Sequence, residues 1–520
     1  MKKKLLLLLL LSVIACKIQA NDTTGHTFFY EQPQFHAVLP TKTSLFYDRM
    51  EAKYDGIYGA IQLVPFGSAS ILPEDITTFF FPFGLSALSA GEFASNTVKN
   101  GTVAIMANYF GVLTQPVDQV YGSGTLDTTN LTFESLIRFK PKQTTYGVGL
   151  TYKQKIANFD NQDQGWWVQI SAPIMGVTND LGFTETVINA GGGQVPEGFV
   201  GSIGDALRGK TVFGSKHFKS GKISDEPITK WGIADIELSV GHDNLCHNDF
   251  LRMWYFGLII PTGNKPTGEF IFEPIVGNNK HWGLMLGGEY NYTIWTNENE
   301  DKRIVFHTIA QSHYLFQNVQ RRSFDLIDKQ WSRYIWMYPE QQAEANILDI
   351  IPGINVLTRD VKVSPRSSSD TNVSFEFIAD CAFMAEAGYG TYYRQTEYVE
   401  LCCPFQPGPV IAGFNVDDTT EFVTESAATI RRFLPFQGVT FDTQPGSSTP
   451  EIVTIKNSDI DLRSAAHPCL VSHIIWATAG YRCDGIAYPT FVSLGGAYEF
   501  SADNNALTRY TIWGKVGVSF

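Results

Sequence analysis

From Arg509 to Phe520 the chain alternates with a period of two, and no other feature constrains the fold as tightly. Tyr510, Ile512, Gly514, Val516, Val518 and Phe520 share one face, while Arg509, Thr511, Trp513, Lys515, Gly517 and Ser519 share the other. Successive strand side chains point to opposite faces, so one surface is apolar and the other mostly polar. The run approaches the ~10 residues that a tilted strand needs to cross a bilayer. An edge strand of a soluble sandwich alternates in the same way. The rest of the chain has to separate the two.

The pattern recurs upstream. Ile236, Leu238 and Val240 alternate with Asp235, Glu237 and Ser239. Between Trp282 and Trp295, one face holds Trp282, Leu284, Leu286, Tyr290, Tyr292 and Ile294; Gly283, Gly287, Glu289, Asn291 and Thr293 hold the other. Near the end, Val492, Leu494, Tyr498 and Phe500 oppose Ser493, Gly495, Ala497 and Glu499. Aromatic residues at strand ends suit the interfacial girdles of a membrane barrel. Small and polar residues opposite them suit a hydrated lumen better than a protein core.

The N-terminus has the layout of a secretory signal. Lys2, Lys3 and Lys4 precede the apolar run Leu5–Ala15, and Ile18-Gln19-Ala20 offers a small residue for cleavage after Ala20. Cleavage takes the formal net charge from −13 to −17, because the removed segment carries four Lys. Val13-Ile14-Ala15-Cys16 also matches a lipobox, which would lipidate Cys16 instead. Beyond residue 20 no apolar run reaches the ~18 residues of a membrane helix. Only 18% of residues are charged and 13% are aromatic, which argues against disorder, and the acidic balance argues against a nucleic-acid binder.

The expected fold is all-β: one closed antiparallel transmembrane barrel over 21–520, with minor helical content in its loops. Candidate strands are 52–66, 129–139, 144–156, 165–176, 231–241, 249–261, 281–295, 303–317, 372–380, 383–395, 469–482, 486–500 and 506–520. Their number is odd, whereas single-chain bacterial barrels have an even number. The suspect is 372–395, where Phe375, Ile378, Ala379, Ala382 and Phe383 also fit helical spacing. Twelve strands are expected, with fourteen as the alternative. Long loops are expected at 67–128, 177–230, 318–371 and 396–468, with a helical hint at Gln341–Leu348.

With these residues in view, the chain resembles the porin-like, transport-type barrels of the Gram-negative outer membrane. The segment Ile259-Ile260-Pro261-Thr262-Gly263-Asn264-Lys265-Pro266 is similar to the Pro-Thr-Gly loop of porin-like and hydrocarbon-uptake barrels. Gly495–Phe500 with Gly514–Phe520 is similar to their closing strands. The resemblance covers about a fifth of the chain and names no subfamily. It implies outer-membrane lipid around the protein, recognition by barrel-assembly machinery through Tyr510, Ile512, Val516, Val518 and Phe520, and passage of small solutes. It carries over no substrate-binding residue.

Other constellations read as structural. Gly241–Asp249 packs His242, Asp243, Cys246, His247 and Asp249 into a short stretch, but the spacing matches no zinc motif, and a hairpin turn is the simpler reading. Cys246, Cys381, Cys402, Cys403, Cys469 and Cys483 allow up to three disulfides, with a Cys402–Cys403 bridge strained. A hydrolase set could be drawn from Asp459, Asp461, His467 and Ser472, yet nucleophile-elbow and H-E-x-x-H motifs are absent. No enzyme activity and no cofactor are therefore expected. Asp235, Glu237, Glu289, Arg509 and Lys515 are the candidate lumen-lining charges, and their acidic majority predicts a modest preference for cations. The rival reading is a non-conducting structural or surface-binding barrel plugged by its own loops.

Overall fold

The computed structural model describes Phe29 and residues 42–45, 58–73, 76–77, 80–81, 87–91, 103–106, 133–159, 164–190, 200–210, 217–246, 250–327, 331–334, 336–338, 351–379, 382–404, 410–414, 422–425, 455–483, 488–501 and 506–520. The signal-like segment, Cys16 and Gln341–Leu348 lie outside the described residues. Twelve strands form a closed antiparallel barrel in up-and-down order. They are β1 Gly59–Ile71, β2 Lys142–Phe159, β3 Gln164–Asp180, β4 in two segments (Ile228–Ile233 and Ile236–Cys246), β5 Phe250–Ile260, β6 Gly283–Thr296, β7 Lys302–Leu315, β8 Arg366–Ala379, β9 Phe383–Arg394, β10 Leu470–Cys483, β11 Thr490–Ser501 and β12 Thr508–Ser519. Closure pairs β12 with β1, from Ala60↔Ser519 to Ile71↔Thr508. It leaves no barrel strand with an open edge.

Alternation explains why these strands close on themselves. Leu63, Val148, Leu238, Phe256, Leu286, Phe375, Ile475, Leu494 and Ile512 all point outward and are exposed. Apolar exposure continuous around a wall far exceeds the few hundred Å² that a soluble surface carries, so this face is a lipid face. Trp254, Trp282, Tyr292, Trp295 and Tyr314 are exposed near strand ends, at the levels of the two girdles. Phe520, likewise exposed, is tied back by paired backbone hydrogen bonds with Gly59 (2.8 and 2.9 Å).

Two corrections concern strands. Residues 129–139 contribute no barrel strand; Glu134–Arg138 belongs to a separate sheet with Leu88–Gly91, Val103–Met106 and Thr184–Asn189. Five residues are too short to cross a bilayer. The suspected helix at 372–380 is instead strand β8, paired along its length with β7 and β9. Outward Phe375 and Phe377 and inward Ser374 and Glu376 show that period two prevails there.

The connections sort by side. The strand ends Cys246 and Phe250, Thr296 and Lys302, Ala379 and Phe383, and Cys483 and Thr490 are a few residues apart in sequence and lie at one end, which also holds Gly59 and Phe520. Every long connection leaves from the other end. There, several strands continue past the lipid belt in unbroken register. Pairing of β7 with β8 runs on from Leu315↔Arg366 to Asn318↔Val363 and Ser323↔Thr358. Pairing of β2 with β3 runs on from Lys142↔Asp180 to Arg138↔Thr184.

These extensions carry a cap. Ile76, Phe80, Phe81, Phe139, Ile203, Phe218, Ile271, Phe272, Trp331, Ile354 and Leu507 come from five different connections and pack into one apolar core. Phe81 stacks on Phe139 (4.5 Å) and Trp331 (5.6 Å). Among the described residues, the short helices Ile203–Leu207 and Gly353–Leu357 bury Ile203 and Ile354 in that core. Phe29 lies in it too, and its carbonyl accepts from the Glu273 backbone N–H.

Candidate functional site

The inner wall is polar because every second strand position turns inward. Gln62, Thr151, Lys153, Ser171, Ser239, Asn291, Gln311, Asn372, Ser374, Thr478, Ser493 and Thr511 are all buried there. Buried charge demands partners, and several inward charges have them. Lys155 pairs with Asp243 (3.4 Å), His307 with Glu376 (2.8 Å) and Arg509 with Glu499 (3.4 Å). His307 also meets the Asn291 amide oxygen at 2.6 Å.

One short piece of chain crosses this lumen. Lys42–Leu45 forms a turn that touches most of the wall. The Lys42 ammonium binds Glu237 of β4 at 2.6 Å, and the Lys42 carbonyl accepts from Gln62 of β1 at 2.8 Å. Lys515 of β12 donates to the Ser44 carbonyl. The Leu45 N–H donates to Glu386 of β9 at 2.9 Å, while its side chain packs among Val305, Ile378, Met384 and Phe491. Phe29 lies in the cap and Gly59 at the turn end, so the described points of the N-terminal segment descend through the barrel.

Beside this turn is a cavity of about 70 Å³. Its walls include Lys153 (β2), Trp167 (β3), Glu237 (β4), Tyr255 (β5), Glu289 (β6) and Gln311 (β7), with Lys42 and Thr43 closing one side. The Lys153 ammonium sits over the Trp167 ring, 4.4 Å from its centroid. Tyr255 donates to Gln311 (3.1 Å) and lies 5.7 Å from Trp167. The indole lies flat against Gly241, where a Cβ would come within 2.2 Å of it. Only glycine leaves room for Trp167 in that pose.

A second constriction comes from the 261–282 connection, which folds back into the barrel. Strand β4 breaks at Ala234-Asp235 to receive it: the Ala234 carbonyl accepts from Thr262 (2.7 Å), and Asp235 accepts from the Asn278 N–H (2.7 Å). Val276 then packs with Phe66, Trp476 and Trp513 across the lumen. A Cβ on Gly263 would sit 1.9 Å from the Val276 carbonyl, so glycine is required in the Pro-Thr-Gly segment for this close approach. Asn264 clamps the loop through the Val276 N–H (2.7 Å) and the Pro274 carbonyl (3.2 Å).

His281 ends that connection. Burial pushes its pKa down to about 4. Its Nδ1–H donates to the Phe316 carbonyl (2.7 Å) and its Nε2 accepts from Gln320 (2.6 Å), a pattern that needs the neutral ring. A histidine whose folded pKa is lowered contributes stability above its ordinary value of 6.5, and that contribution is lost as pH falls from 6.5 toward 4. Thermal unfolding followed at pH 7 and at pH 4.5 should register the loss, and His281→Asn should narrow the difference between the two.

The sequence-derived residues fall as follows. Glu237 and Glu289 line the cavity, Lys515 holds the crossing turn, Arg509 pairs with Glu499, and Asp235 anchors the inserted loop. Tyr510, Ile512, Val516 and Phe520 are exposed on the lipid face, with Val518 half-buried beside them. Sequence reasoning missed Lys153, Trp167 and Tyr255 on the cavity wall, and also Glu386, although period two places Lys153 inward opposite outward Leu150. Nothing in the sequence marks Lys42, which reaches the lumen from outside any strand.

The remaining constellations come apart. The stretch read as a turn from Gly241 is strand as far as Cys246, which sets His242 outward against Trp254 and Asp243 inward on Lys155. His247 and Asp249 lie outside the described residues. Ser472 donates inward to Glu499 (3.1 Å) while His473 faces outward onto Tyr389 (2.7 Å). His467 is buried in the cap, where its N–H donates to Glu397 (3.0 Å). Cys402, Cys403 and Cys483 are free thiols, so three disulfides do not form, and Cys469 is disulfide-bonded.

No family model and no curated protein matches the chain. Among solved structures it is similar to an outer membrane channel from Pseudomonas putida F1, at 8% identity and TM-score 0.40, over 92% of this chain and 100% of that one. It is also similar to a Pseudomonas aeruginosa FadL homologue, at 10% identity and TM-score 0.28, covering 96% of each. A third is the transport unit of the autotransporter AIDA-I from Escherichia coli, at 8% identity and TM-score 0.31, over 93% and 95%. None of these superposes closely enough to transfer a site.

Proposed function

We propose that this chain is an outer-membrane barrel that passes small solutes through its lumen when the N-terminal turn and the 261–282 loop shift. One observation carries the reading. The barrel interior is lined by polar and charged side chains and is crossed by a short turn held through a handful of polar contacts and one apolar side chain. A purely structural barrel gains nothing from a polar interior, since apolar packing of equal volume is as stable or more so. A movable closure over a hydrated passage accounts for both features. The signal-like N-terminus and the outward Tyr510, Ile512, Val516 and Phe520 fit export and insertion by barrel-assembly machinery.

Conductance of the purified protein in planar bilayers tests the reading. Brief openings with a modest cation preference in a salt-gradient reversal-potential measurement are expected, and Glu237→Gln with Glu289→Gln should reduce that preference. The preference should be small because Lys153, Lys155, Arg509 and Lys515 also face inward. Persistent silence, even after the inserted loop is shortened, would favour the non-conducting barrel.

A further inference from the structure

We propose that the lumen cavity is a binding site for small primary ammonium compounds, with Lys42 acting as a tethered occupant of that site. The inference deepens the transport reading and rests on the crossing turn being able to leave. Three independent features meet in the cavity.

The first is the occupant itself. Lys42 belongs to no strand, yet its ammonium is seated on Glu237 at 2.6 Å, both side chains half-buried against the wall. Glu289 lines the same cavity from the next hairpin. Withdrawing the turn takes one positive charge away and leaves Glu237 and Glu289 on a half-enclosed wall with Lys153 as the remaining cation. Two half-enclosed carboxylates facing one cation leave a net negative charge, so the vacated position favours entry of another cation. The geometry left behind was shaped around a primary ammonium.

The second feature is aromatic. Trp167 and Tyr255 stand 5.7 Å apart in the wall, and the Trp167 face already holds the Lys153 ammonium at 4.4 Å. Aromatic faces attract amines by their quadrupole, and more strongly when desolvated. The third is a donor: the Trp167 Nε1–H is buried and has no acceptor among the described residues. A buried indole N–H is ordinarily hydrogen-bonded, so this wall is built to meet a polar molecule.

Size sets the class. The cavity of about 70 Å³ has room for about two water molecules, each with a ~30 Å³ share of liquid. Adding the space of the Lys42 side chain admits an ammonium group with a short alkyl tail. While Lys42 is in place it competes at the high effective concentration of an intramolecular group. The unmodified protein should therefore bind such amines weakly.

Isothermal titration of the full-length protein in detergent, with ethylammonium chloride as the probe, tests this directly. Lys42→Ala should bind ethylammonium at least tenfold more tightly than the unmodified protein, and Glu237→Gln added to Lys42→Ala should abolish the gain. Sodium chloride and sodium acetate serve as controls, and heat-modifiable migration on gels checks that the barrel forms. Lys42→Ser, which also clears the space of the side chain, should behave as Lys42→Ala does and substitutes for it if that variant does not assemble. Equal binding of sodium would overturn the assignment to amines, and so would absence of any gain in folded Lys42 variants. Calorimetry needs no conductance, so the two readings fail separately. A silent protein that binds ethylammonium sinks only the transport reading, whereas a conducting protein whose Lys42 variants gain nothing sinks only this one.

Discussion

Replacing Leu45 by Asp is expected to raise the open time of the barrel by about a hundredfold or more. Leu45 is the apolar anchor of the crossing turn, buried among Val305, Ile378, Met384 and Phe491. Its own N–H donates to Glu386. An aspartate in that place would bring a second carboxylate to Glu386 inside an apolar cluster. Burying an unpaired charge costs several kcal/mol, and each ~1.4 kcal/mol is a tenfold change in an equilibrium. The remaining contacts of the turn are a few polar ones, at roughly 0.5–3 kcal/mol each. The turn should therefore leave the lumen while the barrel, with its own closed hydrogen-bond ladder, persists. Leu45→Met, which fits the same cluster, should keep the resting behaviour. Single-channel recordings compare the two; a folded Leu45→Asp protein with unchanged openings would show that the turn does not close the lumen.

Breaking the buried ion pair of the cap is expected to loosen the long connections without dismantling the barrel. Arg322 and Glu397 have no solvent exposure at their side chains and meet at 3.2 Å. Arg322 also donates to the Ala465 carbonyl (2.9 Å) and to Gln320 (2.9 Å), while Glu397 accepts from the His467 N–H. Two connections, the one after β7 and the one after β9, are joined through these two side chains. Arg322→Ala alone leaves Glu397 charged, buried and without its partner, which costs about 3–5 kcal/mol. Pairing Arg322→Met with Glu397→Gln should recover part of that loss, since no lone charge remains. Limited proteolysis reads the result: cleavage within the cap should rise at least tenfold in the single variant, with the heat-modifiable barrel band retained. Equal protease resistance in Arg322→Ala would mean that the apolar core around Phe80, Phe139 and Trp331 holds the cap by itself.

The strands were legible because a barrel wall imposes one simple rule on every crossing. Residues 282–295 alternate so regularly that both faces follow from composition, and the lipid face of β12 can be named residue by residue. Where the rule met a short apolar stretch it misled in both directions. Ser135 and Ile137 alternate like a barrel strand but sit in a five-residue piece of the cap sheet, and the helical spacing of Phe375, Ile378 and Ala379 concealed a full crossing. Local pattern fixes which way a side chain turns; only pairing partners say which sheet it joins.

The lumen shows the division most clearly. Alternation alone turns Glu237, Glu289 and Lys515 inward, because a strand offers only two faces and the other one meets lipid. It says nothing about what those groups meet across the barrel. Lys42 is nearly two hundred residues from Glu237, and Ser44 more than four hundred from Lys515, on a segment with no strand pattern, and these meetings depend on the wall closing around that segment. The cavity between Trp167, Tyr255 and Glu289 is likewise assembled from separate hairpins. Period and composition therefore determined the barrel and the direction of its side chains, since each depends on neighbours in sequence. The crossing turn's contacts, the Lys42–Glu237 pair and the cavity beside it were decided by tertiary structure, since each exists only where distant strands face one another across the lumen.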